Sequence, residues 1–200
     1  FGTYVHAVLE NTAREIKNLG GFHQVSLSQT LEIAHRHSDE YAAQLFSQIT
    51  SERFTYLFRR NLQELDMVVE ELWQELSQSL FEPAQFELGF GTGDDQPAIA
   101  IPNGSMNAIL RGYVDRVDTW SRDGTDYYRV VDYKTGKKDF DYCDVYNGVG
   151  LQMLLYLFAL QNANAELLGS NPIGVGVQYF PARAPYLPSD GRLSAQEADK

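Results

Sequence analysis

The sequence predicts an α/β fold in which a mixed β-sheet is flanked by helices and preceded by a helical portion. Two patterns support this class. Apolar residues recur at helical spacing through residues 1–82, whereas residues 83–185 contain short runs rich in β-branched and aromatic residues, separated by turn residues. The predicted order is helices, then strands, then one further helix and a last strand. This order is expected of a mixed sheet covered by helices.

Three helices are predicted ahead of the sheet, over residues 1–19, 28–49 and 52–80. The third has the clearest pattern, because its apolar residues form one continuous stripe. Ser51 is its expected start and Pro83 its expected stop, since serine favours the N-cap and proline cannot continue a helix. A stripe of this kind is more often part of a core than a partner-binding surface, and we expect it to be core.

The second part of the chain contains the predicted strands and one more helix. A turn is expected over residues 121–125, where the sequence is Ser-Arg-Asp-Gly-Thr. A helix is expected over residues 146–161. The predicted strands cover residues 86–90, 98–101, 108–119, 127–133 and 173–180.

The length of 200 residues is ample for one domain. We expect residues 1–82 to form its helical portion, 83–185 its sheet-containing core and 186–200 a truncated tail. The chain starts at Phe1 rather than Met, so we expect it to be a piece of a longer protein. No apolar run approaches the roughly twenty residues that span a bilayer. A single cysteine, Cys143, cannot form an internal disulfide, which favours the reducing cytoplasm as the location.

The net charge of −11 argues at first against a nucleic-acid partner. The charge is unevenly distributed, however. Residues 111–138 hold seven basic residues against five aspartates, whereas the rest of the chain holds nine basic against twenty-two acidic residues. The basic excess therefore lies in one segment, as expected if that segment approaches phosphate groups. Because the excess is small, we do not expect tight independent binding to duplex DNA.

That basic segment also contains the residues with the clearest chemical meaning. Asp115 lies in one predicted strand, and Asp132 and Lys134 lie in the next. Antiparallel neighbours can bring both acids to the same end of the sheet, and residues two apart in a strand share a face. A carboxylate inside an apolar strand is costly unless something neutralises it. Two acids and a lysine on one face would suit a divalent ion beside an activated water.

A simpler interpretation remains open at this point. Aspartates near hairpin turns are commonly solvated, and an exposed Asp-x-Lys pair contributes little to stability. We assign Asp118, Asp123 and Asp126 to that class of surface acid. A lone histidine on a helix, such as His6, is likewise usually a packing residue.

Four motifs in order carry a resemblance to a known family. They are Gly-x-x-x-His at residues 2–6, Gly-Tyr-Val-Asp at 112–115, Val-Asp-Tyr-Lys-Thr-Gly at 131–136 and Gly-Leu-Gln-x-x-x-Tyr at 150–156. Together they resemble the RecB-type branch of the PD-(D/E)xK nuclease superfamily. Within that branch the chain is most similar to the AddB-type nuclease domains of bacterial helicase–nuclease complexes. The resemblance covers most of the chain and implies a restriction-endonuclease-like fold.

The resemblance also implies a Mg²⁺-dependent deoxyribonuclease. Asp115, Asp132 and the backbone carbonyl of Tyr133 can supply oxygen ligands, and Mg²⁺ keeps water in its remaining positions. By resemblance, His6 is a further ligand from the leading helix, and an imidazole makes Mn²⁺ an acceptable substitute. Lys134 would orient or help deprotonate the attacking water and offset developing negative charge.

Three further residues are expected near this site on weaker grounds. Glu87, on the first predicted strand, is a candidate fourth acidic ligand, with an edge-strand charge facing water as the equal alternative. Gln152 and Tyr156 share a helix face. In the resembled family they border the active site, where the amide can hold Lys134 or a phosphate oxygen and the ring can touch a base or sugar. A tyrosine at such a position is more often a packing residue.

Three basic residues are candidates for contact with DNA. Lys137 and Lys138 directly follow the strand that carries Lys134 and could reach backbone phosphates, although a solvated turn is the equal alternative. Arg116 follows Asp115 directly and is a third candidate.

The resemblance further implies an exonuclease that acts mainly on single-stranded DNA delivered by an AddA-type helicase partner in double-strand-break repair. AddB-type domains hold an iron–sulfur cluster on four cysteines. This chain has one cysteine, so we expect any cluster to need residues outside it. Two other functions compete. One is a nuclease-like module with little activity and a structural or DNA-guiding role. The other is a carboxylate hydrolase of glycosides, against which Lys134 and the basic excess argue.

Overall fold

A computed structural model describes most of the chain. The described residues are 2–46, 52–91, 99–103, 106–136, 140–161, 165–169 and 172–183. The helices are α1 (Gly2–Asn18), α2 (Leu27–Phe46), α3 (Glu52–Gln78), α4 (Tyr142–Tyr146), α5 (Gln152–Leu160) and α6 (Ala165–Leu168), with a short 3-10 helix at Phe22–Gln24. The strands are β1 (Glu82–Phe90), β2 (Ile99–Asn103), β3 (Met106–Leu110), β4 (Gly112–Arg122), β5 (Thr125–Lys134) and β6 (Pro172–Pro181).

Four strands form the main sheet in the order β1-β4-β5-β6. The β1/β4 and β4/β5 pairs are antiparallel, whereas β5 and β6 run parallel. Strands β2 and β3 make a separate hairpin. The predicted mixed sheet flanked by helices is thereby confirmed. None of the described helices has the length and hydropathy needed to cross a membrane.

The turn between β4 and β5 forms where the sequence predicts it. Asp123 and Gly124 both adopt a positive φ, at 52° and 78°. A two-residue hairpin loop of this kind matches the right-handed twist of the strands that it joins. This tight turn places β4 and β5 side by side, in the register that brings Arg116 opposite Val131.

Three predicted boundaries were wrong. The single strand expected over residues 108–119 is two strands, β3 and β4, which belong to different sheets. The helix expected over residues 146–161 is interrupted by Gly148 and Gly150, whose φ angles of 79° and 70° end α4 before α5 begins. Pro83 does not follow a helix but lies in β1, an edge strand, at a shift in register. Proline is tolerated there because an edge strand leaves some N–H positions unpaired.

Each face of the sheet packs against its own helices. The first core cluster lies between the sheet and helices α1, α2 and α3, and it includes Val131, Tyr133 and Phe180 from β5 and β6. The second cluster joins the other face to α5 and includes Val114, Val117 and Val130. The apolar stripe of α3 contributes to the first cluster, as expected, through Leu65, Val68, Val69, Leu72 and Leu76.

Strand β1 changes its buried face at Glu87. Phe86 belongs to the first core cluster and Leu88 to the second, although residues two apart in a regular strand share a face. Glu87 between them has a φ of 47°, in the left-handed region. The backbone therefore turns over at this residue, so that both neighbours are buried on opposite sides of the sheet.

Strand β4 changes face at the position opposite. Val114 packs in the second core cluster, whereas the Arg116 side chain lies on the other face, where it contacts Tyr133 and Glu75. Because Leu88 pairs with Val114 and Phe86 with Arg116, the two reversals coincide in the sheet. They place Glu87 and Asp115 side by side at a twist beside the N-terminal half of α1.

Candidate metal centre

Three side chains from three elements converge beside this twist. His6 of α1, Glu87 of β1 and Asp115 of β4 each offer one ligand atom, and these atoms lie within 4.8 Å of one another. The site thus combines two carboxylates with an imidazole, and it is built from residues that are far apart in the sequence.

Asp115 lies where β4 and β5 separate. The paired register of these strands starts at Arg116 and Val131, so the backbone N–H of Tyr133 lies beyond it. That N–H donates instead to Oδ2 of Asp115, at 2.7 Å. The same oxygen is 3.6 Å from Nδ1 of His6. One carboxylate oxygen therefore satisfies the backbone of β5 and faces the imidazole of α1.

His6 is also held by packing. Its ring meets the ring of Tyr133 edge to face, with centroids 5.5 Å apart. Gly2, one turn earlier, lies against Thr135, but a Cβ built on it would stand 3.5 Å from the Thr135 hydroxyl, which is an ordinary contact. The contact between Gly2 and Thr135 does not by itself require a glycine.

The pKa values of both acids are raised above their ordinary values, chiefly by burial. Burial raises the pKa of Asp115, the charge of Asp132 raises it further, and the Tyr133 N–H and His6 oppose the shift. Burial also raises the pKa of Glu87, as do the charges of Asp115 and Glu10. Two neighbouring acids whose ionised forms are both disfavoured suit a bound cation, which would reverse the effect.

Asp132 and Lys134 form an ion pair on the neighbouring strand. Oδ2 of Asp132 is buried and makes no hydrogen bond of regular geometry, although the lysine ammonium contacts it. The ammonium also lies 5.8 Å from the centre of the Tyr179 ring, within the range of a cation–π contact. Among the described residues, Asp132 is not one of the three whose ligand atoms cluster, although its charge acts on Asp115.

The donor set fits a hard divalent cation. Carboxylate oxygens are the ligands that Mg²⁺ prefers, and an added imidazole is compatible with Mn²⁺. A groove of about 620 Å³ lies beside these donors. It is lined by Gly2, Thr3, His6, Ala7, Glu10, Glu87, Tyr133, Lys134, Thr135 and Gly136. Ligands and a lysine therefore face a space open to a larger substrate.

Two expectations about charged residues near the site were wrong. Arg116 was expected to contact DNA, but its side chain has no exposed surface. Its guanidinium donates to both oxygens of Asp118, at 2.7 and 3.0 Å, and to the Tyr133 hydroxyl at 3.0 Å. Asp118 was expected at the surface and is likewise fully buried. Both residues stabilise the fold instead, because Arg129 and Glu75 complete the same network of charges.

Gln152 and Tyr156 lie at the start of α5, near β4. Gln152 donates through Nε2 to the Tyr156 hydroxyl at 3.0 Å. Tyr156 is 1% exposed, its ring stacks on Phe90, and a Cβ built on Gly112 would stand 1.9 Å from its hydroxyl oxygen. This burial favours the packing interpretation of Tyr156 over contact with a base. Because any side chain at residue 112 would collide with this hydroxyl, the position before the Tyr-Val-Asp segment requires a glycine.

The remaining candidates are placed as follows. Lys137 and Lys138 lie outside the described residues. Cys143 is exposed and forms no disulfide, and one thiol cannot supply the four ligands of a cluster. The Tyr133 backbone lies between Asp132 and Lys134 and lines the groove, so its carbonyl is retained as a proposed ligand.

Two residues near the centre were not anticipated. Glu10 lines the groove and acts on the pKa of Glu87. Its four-residue spacing from His6 places both on one face of α1, which was a usable signal. Tyr179 is paired with Asp132 across β5 and β6, and no pattern in the sequence could have indicated that register.

Comparison with known proteins agrees with this geometry. The family model of the PD-(D/E)XK nuclease superfamily matches residues 1–200. Proteins named as a subunit of ATP-dependent helicase/deoxyribonuclease are similar throughout the chain. That of Desulforamulus reducens is 30% identical over 203 residues, which is 100% of this chain and 18% of the relative. That of Clostridium novyi is 33% identical over 204 residues, 98% of this chain and 18% of the relative.

The protein of the same name from Moorella thermoacetica is 32% identical over 201 residues, 98% of this chain and 18% of the relative. The chain thus spans less than one fifth of the length of these curated relatives. The mixed sheet and its flanking helices agree with the restriction-endonuclease-like fold that the motifs implied. Because the family model matches residues 1–200, the chain belongs to the PD-(D/E)XK nuclease superfamily.

Proposed function

We propose that this chain is a metal-dependent deoxyribonuclease domain that hydrolyses phosphodiester bonds. The observation that carries the proposal is the convergence of His6, Glu87 and Asp115, whose ligand atoms lie within 4.8 Å of one another beside Lys134 and an open groove. Acids with raised pKa values in a cleft are typical of functional sites. Lys134, on the next strand, lines the same groove and is the proposed source of positive charge for a phosphate substrate.

The proposed ligands of a divalent ion are His6, Glu87, Asp115, Asp132 and the backbone carbonyl of Tyr133. Mg²⁺ is the proposed ion, with Mn²⁺ as a substitute. A divalent ion bound there supplies a water of lowered pKa and neutralises charge on the phosphate. The protein contributes the orientation of the donors, since Asp115 is fixed by the Tyr133 N–H and His6 by the ring of Tyr133.

Lys134 is the proposed residue that acts on the reacting phosphate. Its side chain reaches the groove, where its ammonium can offset the negative charge that develops in the transition state and orient the attacking water. Asp132 holds this ammonium in place through the ion pair, and the Tyr179 ring borders it. The lysine is therefore oriented before a substrate arrives.

The DNA is proposed to enter through the groove beside α1. Single strands are the preferred substrate in this proposal, cleaved as by an exonuclease. Gln152 is retained as a candidate contact to Lys134 or to a phosphate oxygen, while Tyr156 acts by packing under Gly112. Lys137 and Lys138 are retained as candidate phosphate contacts.

The wider role rests on the relatives. They are named as subunits of a helicase/deoxyribonuclease, and they are about five times as long as this chain. We propose that this chain acts in such an assembly, with an AddA-type helicase that delivers DNA strands during double-strand-break repair in the cytoplasm. An iron–sulfur cluster in that assembly would need cysteines other than Cys143.

One observation favours the second candidate, a nuclease-like module of low activity that guides DNA. Asp132 engages Lys134 directly and does not share the cluster of the other three ligands. In that arrangement each residue neutralises the other, which would leave less charge for a metal ion or a phosphate.

A cleavage assay separates the two candidates. End-labelled single-stranded DNA should be degraded in Mg²⁺ or Mn²⁺ and spared in chelator. Asp132→Ala and Lys134→Ala should lose this activity, whereas Asp123→Ala, at the exposed tip of the β4–β5 hairpin, should keep it. Equal degradation by the wild type and the Lys134→Ala protein would contradict the proposed mechanism. Binding of the DNA without any cleavage would favour the second candidate.

A further inference from the structure

The guanidinium of Arg14 connects helix α1 to the backbone beside Glu87. It donates to the carbonyl of Phe86 at 3.3 Å and lies 4.8 Å from the centre of the Phe86 ring. It also donates twice to Oε1 of Glu10, at 2.9 and 2.7 Å. Arg14 thus holds one strand carbonyl and one aromatic ring while a carboxylate of its own helix orients it.

The held carbonyl belongs to the peptide group that sets the conformation of Glu87. Glu87 has a φ of 47°, which is unfavourable for any residue with a Cβ. A residue persists in this region when the surrounding structure determines its conformation. Rotation of the Phe86–Glu87 peptide would return φ to ordinary extended values. In an extended strand, Glu87 would no longer lie at a reversal of the strand faces.

We infer that Arg14, oriented by Glu10, is a positioning residue that fixes the Phe86–Glu87 peptide so that Glu87 joins His6 and Asp115. The inference deepens the proposed metal centre and rests on it in part. Arg14 is not one of the three residues whose ligand atoms cluster. Its charge lowers the pKa of Glu87 while the charge of Glu10 raises it, so the two charges act on Glu87 in opposite directions.

Charge and positioning predict opposite effects on cation binding. A positive guanidinium near a metal site repels the metal, so its removal should tighten binding if charge alone mattered. Loss of a residue that orients a ligand should weaken binding, typically by 10–100-fold. The sign of the change therefore identifies which effect dominates.

The experiment measures Mn²⁺ affinity from the electron paramagnetic resonance signal of free Mn²⁺. Arg14→Met, which keeps the apolar stem, is expected to bind about 10-fold more weakly than the wild type. Lys17→Met is the matched control. Lys17 lies one turn later on α1 and donates to the carbonyl of Ala84 in β1. The Lys17→Met substitution therefore removes an equal charge and a similar contact. Its affinity should be unchanged or slightly higher.

Two further variants test the chemistry of the contact. Arg14→Lys keeps the charge but not the planar fork that holds Glu10 and a carbonyl together, so it should weaken binding as Arg14→Met does. Glu10→Gln should weaken it by a smaller factor, because the amide still accepts one hydrogen bond. Affinity in Arg14→Met that equals or exceeds that of the wild type would overturn the inference.

A second measurement needs no metal. Crystal structures of the wild type and of Arg14→Met, both grown in chelator, give φ at residue 87 directly. The wild type should keep a positive φ, and the variant should move to a negative one. A positive φ in both proteins, or a negative φ in both, refutes the role of Arg14. If the wild type binds no Mn²⁺, the proposed metal centre fails, while the crystal structures still decide the role of Arg14.

Discussion

Two aspartates three residues apart on β4 have opposite surroundings. Asp118 is fully buried, and it accepts hydrogen bonds from Arg116 at 2.7 and 3.0 Å and from Arg129 at 2.8 Å. Asp115 is partly buried and accepts one backbone hydrogen bond, and Nδ1 of His6 lies 3.6 Å from its Oδ2. The charge of Asp118 is thus compensated by two arginines, whereas that of Asp115 is not compensated to the same degree.

The difference in charge compensation distinguishes the role of the Asp118 cluster from that of the Asp115 cluster. Asp118 and two arginines join the sheet to α3 through Glu75, so that two acids and two arginines balance each other's charge. Acids whose pKa values are raised by burial and by each other, at an open groove, keep an unmet need for positive charge. Asp115 is half-buried and Glu87 is exposed, and acids with raised pKa values at a groove are typical of functional sites. The charges of the first cluster are compensated within the fold, whereas the second cluster is the site at which we propose a cation.

The largest expected effect is loss of activity when Asp115 is changed. Asp115→Asn should reduce DNA cleavage by about 10⁴-fold, which corresponds to about 5 kcal/mol of transition-state stabilisation. The amide oxygen can still accept the Tyr133 N–H, so the fold should persist. Stability in chelator should equal or exceed that of the wild type, because one of two repelling acids is gone.

Cleavage rates on labelled DNA and urea unfolding of the same samples check both halves of this prediction. A large loss of stability together with the loss of activity would mean that Asp115 is a structural residue like Asp118. The comparison between the two clusters would then fail.

The reciprocal change should affect stability. Asp118→Asn leaves Arg116 and Arg129 without their shared carboxylate in a buried site. Breaking one side of a buried ion pair typically costs about 3–5 kcal/mol. Urea unfolding followed by circular dichroism measures this loss, with Asp123→Asn at the exposed hairpin tip as the control. A change below about 1 kcal/mol would show that the network contributes little.

Binding of a divalent ion should stabilise the protein through Asp115 but not through Asp118. At a Mn²⁺ concentration 100 times its dissociation constant, linkage adds about 2.7 kcal/mol. For a chain of this size that amounts to a rise of roughly 5–10 °C in the thermal midpoint. Differential scanning fluorimetry with and without Mn²⁺ checks this. Asp115→Asn should show little of the rise, and an equal rise in this variant would place the ion elsewhere.

The sequence predicted the sheet and its helices because hydrophobic periodicity and turn residues act locally. The Asp-Gly hairpin turn and the apolar stripe of α3 are examples. The motifs likewise brought His6 and Asp115 forward as candidates, Glu87 was a weaker candidate on the first predicted strand, and the structure groups the three. The proposed roles of the other candidates, including Asp132 and Lys134, stay predictions.

The roles of Arg116 and Asp118 could not be predicted. In the segment Asp-Arg-Val-Asp the two acids are chemically alike, and only the reversal of strand faces at Asp115 decides which one is buried under α3. That reversal coincides with the one in β1, where Glu87 adopts a positive φ that its residue type does not favour. Glu75, which completes the network, lies on a helix some forty residues earlier in the sequence. Tertiary packing, not local pattern, separates the two clusters.

Tyr133 contacts both the Asp115 group and the Asp118 group. Titration of its hydroxyl tests whether that hydroxyl belongs to the buried Asp118 network. Its backbone N–H binds Asp115, while its hydroxyl accepts from Arg116. Burial raises the pKa of this phenol to about 12, above the unfolded value of about 10. Its contribution to stability is therefore complete below pH 10 and is lost as the pH rises from 10 to 12. At pH 11 the loss from this residue should be about 1.4 kcal/mol.

Urea unfolding between pH 8 and pH 11 measures the slope with which the free energy of unfolding falls as the pH rises. Tyr133→Phe should start less stable at pH 8, because a donor of Arg116 loses its partner, yet it should lose less stability as the pH rises. Part of the slope should remain, since burial also raises the pKa of Tyr128 to about 12. Tyr142→Phe, at an 81% exposed position, should keep the full wild-type slope. If Tyr133→Phe keeps it too, the hydroxyl is not part of the buried network, and Arg116 depends on Asp118 and Glu75.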